Sequence, residues 1–145
     1  MSYARQLLDS YPRAGAVDPG ALAATIDALN DCTEACTSDA DADLSEHHVL
    51  ELVKCIRLCQ DCADICATAS NVISRQTDYD SGVTRALLEA CVLICKSSGD
   101  ECEQHAQTHE HCRVCLGACR RCEQACRDLL AATKRGTGEH ASSLS

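Results

Sequence analysis

The chain has 145 residues, no Phe, no Trp and three Tyr, yet 46% of it counts as hydrophobic, so Ala, Leu, Val, Ile and Cys must supply the core. A formal net charge of -9 argues against nucleic acid, which asks for a basic footprint. No run approaches the roughly 20 apolar residues of a membrane span, and residues 1–11 carry neither an apolar export segment nor a twin-arginine pair, so a cytoplasmic location with reduced thiols is expected.

Residues 1–18 read as a short helix over 3–10, ending before Pro12, and a linker. Asp18 followed by Pro19 makes an N-cap with proline at the first helical position. The helix it opens is expected over 19–40, with Leu22, Ile26, Leu29, Cys32 and Cys36 inward. Residues 39–45 read as a polar connection, with Asp43 or Ser45 as the next cap. The second long helix is expected over 46–76, with the stripe His48, Leu52, Cys55, Cys59, Cys62, Cys66, Ala69 and Ile73. After a connection at 77–82, the third starts near Val83 and carries Leu88, Cys91, Cys95, Ser98, Cys102 and His105. Ser98 stands where the spacing asks for another cysteine, and Gly99 beside it costs about 1 kcal/mol relative to Ala, enough for a local irregularity. The fourth helix follows a junction at 107–109, capped by Thr108, with Cys112, Cys115, Cys119, Cys122, Cys126 and Leu129 on one face. From residue 135 a flexible tail is expected, which leaves 19–134 as the folded unit.

Short connections between long helices predict an all-α, antiparallel up-down-up-down four-helix bundle with a short N-terminal helix. Antiparallel order gathers His47, His48, His105, His109 and His111 at one end. It gathers Leu22, Ile26, Ile73, Leu87, Leu88, Leu129 and Leu130 at the other. Between them the fourteen cysteines recur every three or four residues, the spacing of one helix face.

A buried thiol can serve as a small hydrophobe, but it buries less apolar area than Leu, and fourteen on inward positions exceed what packing asks for. Disulfides between neighbours on one helix have parallel Cβ vectors and poor geometry, though pairs between helices stay open. Metal is the remaining reading. Zinc sites use discrete sets of four ligands, and iron–sulfur motifs wrap a loop around one cluster. Here the thiols run continuously along helices. A thiol that binds Cu(I) loses one proton and gains one positive charge, so the core's charge is unchanged. Four thiolates around Zn(II) leave two negative charges, which is expensive when repeated in a low dielectric. Thiolate also selects Cu(I) by softness. The expected cargo is therefore multiple Cu(I) ions per chain.

His105 and His109 flank the thiols and are candidate ligands at the open end, with His48, His111 and His47 lower in rank. No Ser/His/Asp arrangement and no phosphate loop suggests catalysis. An alternative is a thiol redox or stress-sensing protein using Cys112 and Cys115, which lie near a helix start where the dipole lowers a thiol pKa. A zinc or iron–sulfur protein is the other alternative, and metal stoichiometry separates all three.

The runs CIRLCQDCADIC at 55–66 and HEHCRVCLGACRRCEQAC at 109–126 resemble the cysteine-rich four-helix-bundle copper storage proteins, over about residues 19–134. The resemblance implies a tetramer that stores Cu(I) on inward cysteines. The implied ligands are Cys32, Cys36, Cys55, Cys59, Cys62, Cys66, Cys91, Cys95, Cys102, Cys112, Cys115, Cys119, Cys122 and Cys126, with His105 and His109 at the mouth. It implies the cytosolic branch of that family, and a copper chaperone or client as partner.

Overall fold

The computed structural model describes residues 2–143, and their side chains as far as Thr133. Its helices are α1 (Tyr3–Asp9), α2 (Pro19–Leu44), α3 (Val53–Ile73), α4 (Ser81–His105) and α5 (Glu110–Ser143), with a 3-10 turn at Val49–Leu52 before α3. α2 packs on α3 and α5, and α4 packs on α3 and α5, so the four long helices close a ring around one core. Cross-helix sulfur pairs fix the antiparallel order. Cys32 meets Cys119 while Cys36 meets Cys115, and Cys66 meets Cys95 while Cys59 meets Cys102.

Local chemistry sets most of the boundaries. Asp18 accepts from the Ala21 N–H at 2.9 Å, and Asp80 from the Val83 N–H at 3.1 Å, each satisfying a helix donor that would otherwise lack a partner. The His109 carbonyl accepts from the Arg113 N–H, so α5 opens from His109 rather than Thr108. α4 runs unbroken through Gly99. A Cβ there would stand 3.0 Å from Arg120 Nη1 and 3.4 Å from the Cys119 Cβ, so the missing side chain lets α4 and α5 approach.

Two expectations are corrected. Residues 39–44 are not a connection: α2 continues to Leu44 and Ser45 is its C-cap, so neither Asp43 nor Ser45 starts the next helix. The spacing explains this, because Cys36, Asp39 and Asp43 keep the inward rhythm, and Ala40 and Ala42 favour helix. The second correction is His48, which is exposed instead of inward. Its segment enters α3 through the tighter 3-10 turn, which shifts the register before Leu52 is buried. α5 also extends past the expected end: helical backbone continues to Ser143, since adding a turn to a formed helix needs no new nucleus.

The aliphatic end is closed. Leu22, Ile26, Ile73, Leu88 and Leu129 are buried there, with Leu87 and Leu130 packed at their edge. Ala4 and Leu8 of α1, and Val17, pack against the same cluster. The Tyr11 hydroxyl latches this cap, donating to the Ser74 carbonyl at 2.9 Å and accepting from the Gln76 N–H at 3.3 Å. No helix among the described residues is long and apolar enough to cross a membrane.

Candidate metal centre

All fourteen cysteines are free and have no exposed surface. Eleven of their sulfurs form a continuous path along the bundle axis. It runs from Cys55 to Cys59 (4.0 Å), Cys115 (3.9 Å), Cys36 (3.5 Å), Cys32 (3.8 Å) and Cys62 (3.7 Å). It continues to Cys95 (3.9 Å), Cys66 (3.7 Å) and Cys122 (4.0 Å). Cys102 and Cys119 join it from the side. These separations are about twice a disulfide bond and match two sulfurs sharing one metal ion. Two four-sulfur groups overlap at Cys32: one adds Cys36, Cys62 and Cys119, the other Cys66, Cys95 and Cys122. Shared sulfurs suit bridged ions better than separate cages. The Ser98 hydroxyl fills the gap in α4, 3.6 Å from both Cys59 and Cys119.

The thiols hold one another's protons unequally. Cys59 is held well below the usual thiol range by its hydrogen bond with Cys102 and then Cys115, against burial. Cys62 is lowered in the same way, chiefly by Cys119. Cys36 is pushed up by its bond with Cys115, and Cys66 by its bond with Cys122, with burial adding to both.

Towards the open end the wall changes from sulfur to carboxylate. Asp39 is 1% exposed, and its Oδ2 accepts from Cys59 and Cys102 at 3.5 Å and from Cys55 at 3.9 Å. Its Oδ1 lies 2.5 Å from His111 Nδ1, and His111 Nε2 lies 2.9 Å from Glu46 Oε1, a half-buried carboxylate at the rim. This makes an unbroken hydrogen-bonded line from three thiols to solvent. Burial opposes charge on His111, but Asp39 and Glu46 outweigh it and hold the imidazole above its usual range. One helical turn further on, Asp43 is fully buried, and its Oδ1 faces His111 Nδ1 and Cys112 Sγ, both at 3.5 Å.

His105 and His109 stand at this mouth, with side chains 20% and 18% exposed. His105 Nε2 pairs with Glu101 Oε1 at 3.1 Å, and His109 Nδ1 with Glu46 Oε1 at 3.3 Å, while the His109 ring stacks on His111. Among the described hydrogen bonds, His111 is the imidazole that meets a thiol, 3.7 Å from Cys112. His47 and His48 lie outside on the surface. Asp39, Asp43, Glu46 and Glu101 are not among the site residues expected from the sequence. The first two were detectable, because they continue the Cys32, Cys36 stripe by three and then four residues.

A profile of the copper storage proteins matches residues 19–131. The chain belongs to the copper storage protein family. A cysteine-rich protein of Bacillus subtilis (strain 168), YhjQ, is 40% identical over 108 residues, covering 74% of this chain and 94% of its own. Among solved structures, the copper storage protein Ccsp from Streptomyces lividans loaded with 10 copper equivalents is 53% identical, with a TM-score of 0.87 over 89% of this chain and 98% of its own. A cytosolic copper storage protein from Streptomyces lividans holding five coppers is 55% identical, with a TM-score of 0.76 over 77% and 93%. The copper storage family likeness therefore spans the whole ring of long helices, thiol path included.

Proposed function

We propose that this chain stores Cu(I) in the cytosol, many ions per molecule, on the fourteen cysteines of its core. The observation that carries this is the continuous path of fully buried sulfurs 3.5–4.0 Å apart. Each Cu(I) replaces one thiol proton, so the buried core fills without accumulating charge. Copper enters at the imidazole and carboxylate end, where His105, His109 and His111 meet arriving ions. The aliphatic end blocks escape. Asp39 takes protons from Cys55, Cys59 and Cys102 and passes them through His111 to Glu46, which keeps loading from stalling on trapped protons.

The molecule acts as a store, with residues 19–134 as the storing unit. Residues 1–18 cap its far end. The bundle folds before copper arrives, because fully buried Leu29, Leu52, Ile73 and Leu88 give it an aliphatic core that needs no metal ligand. A tetramer is the assembly we propose, and Leu44, Leu50, Val53, Leu93 and Val114 supply exposed apolar surface for it. A copper chaperone supplies the ions or a client receives them. A thiol redox role at Cys112 and Cys115 is not favoured, since both sulfurs are buried and Cys112 is engaged by Asp43.

Anaerobic titration of the reduced protein with Cu(I), against a chromophoric chelator, tests the reading. Uptake near or above one ion per cysteine is expected. Saturation after one or two ions would refute storage.

A further inference from the structure

The mouth holds a second kind of donor set. Asp39, Asp43, His111 and Cys112 each turn one ligand atom into a space where all four atoms lie within 4.8 Å of one another. They are two oxygens, a nitrogen and a sulfur, unlike the all-sulfur groups deeper in the bundle. Asp39 and Asp43 are buried on one face of α2, and His111 and Cys112 are brought against them by the first turn of α5.

One atom in this group lacks what a buried atom needs. Asp43 has no exposed surface, and among the described residues its Oδ2 has no hydrogen-bond partner. An unsatisfied buried carboxylate oxygen is costly. The protein therefore keeps a carboxylate where hydrogen bonding alone does not satisfy it.

Charge tells which cation belongs there. With both carboxylates and the Cys112 thiolate bound and His111 neutral, a divalent ion leaves one net negative charge. Cu(I) in the same place leaves two. The deeper thiol groups have the opposite preference, because there one Cu(I) per thiolate leaves no net charge. Hardness points the same way: two carboxylates, one imidazole and one thiolate suit a borderline tetrahedral ion, whereas soft Cu(I) prefers sulfur.

We propose that Asp39, Asp43, His111 and Cys112 form a separate site for one borderline divalent cation of the Zn(II) type at the mouth of the bundle. Cys112 leaves the copper-binding set when this site is filled. The bound ion sits against Asp39, the carboxylate that also contacts Cys59 and Cys102, so its presence closes the path between solvent and the thiol core. This goes beyond copper storage and does not depend on it.

Co(II), a spectroscopic stand-in for Zn(II), tests the site in the reduced, metal-free full chain. The first equivalent is expected to give tetrahedral visible bands with the sulfur-to-metal charge-transfer intensity of a single thiolate. Asp43→Asn should weaken that first binding by at least about tenfold. Cys112→Ser should keep visible bands of bound Co(II) but lose the charge-transfer band. Four-thiolate intensity for the first equivalent, or no Co(II) binding, overturns the proposal. So does a charge-transfer band that survives in Cys112→Ser. If circular dichroism shows Asp43→Asn unfolded, Cys112→Ser and the wild-type intensity decide the matter. The copper titration has a different readout, so failure of one reading leaves the other standing.

Discussion

Asp39 is the residue on which the proposed loading route turns. Three thiols give it hydrogen bonds, and His111 connects it to the rim. Every Cu(I) that binds a thiol expels its proton into a fully buried core. A buried carboxylate placed against the donors can act as the general base for that step, and such groups contribute factors on the order of 10²–10⁴ where proton transfer limits a rate. Asp39→Asn keeps the shape but is a much weaker base. Stopped-flow mixing with Cu(I) should show loading slowed by about tenfold or more, with the final stoichiometry nearly unchanged. An unaltered rate would mean that protons leave by another route.

The helices show why some of this was legible beforehand and some was not. Cysteine spacing of three and four residues is a periodic signal, and it identified the inward faces of all four long helices before any coordinates. Asp39 and Asp43 obey the same spacing, yet carboxylates near a helix end ordinarily mean a cap or a solvated turn. Only the continuation of α2 to Leu44 puts them inside. His48 shows the reverse: its spacing fitted the stripe of α3, but the 3-10 turn at Val49–Leu52 changed the register. His111 was underrated because its value lies in partners on another helix, which no local pattern displays. The aliphatic end rests on ordinary packing. Ile73→Ala, which leaves a cavity in a fully buried position of α3, should lower apo stability by about 2–5 kcal/mol in denaturant unfolding. It should leave the number of coppers bound nearly unchanged, because no thiol is removed.

For the whole molecule, pH and metal are linked. Asp43, raised from 3.8 by burial, and His111, raised from 6.5 by Asp39 and Glu46 against the effect of burial, both hold protons more tightly in the folded state than in the unfolded chain. The folded state thus binds more protons, so both groups make stability fall as pH rises. The loss begins near pH 3.8 for Asp43 and near 6.5 for His111, and each is complete once pH passes the folded value. Denaturant midpoints of the metal-free protein should therefore decline through the neutral range, and His111→Gln should flatten the upper part. A rising midpoint there would show that these two groups do not govern the apo bundle. Copper adds its own pH dependence, because each ion that binds a thiol displaces its proton.

Among the described residues, the Tyr11 latch and the leucine-rich cluster close one end of the core, which leaves the histidine end as the proposed way in and out. A container with one opening keeps a record of its filling. Where ions move along the sulfur path without changing places, the last to arrive is the first to leave, as in a stack. Early copper becomes a deep reserve and late copper a working supply. Loading with one copper isotope and topping up with another should then release the second isotope first to a chelator. The store would have a sense of time as well as of quantity, because a closed end sets the order in which its contents can be withdrawn.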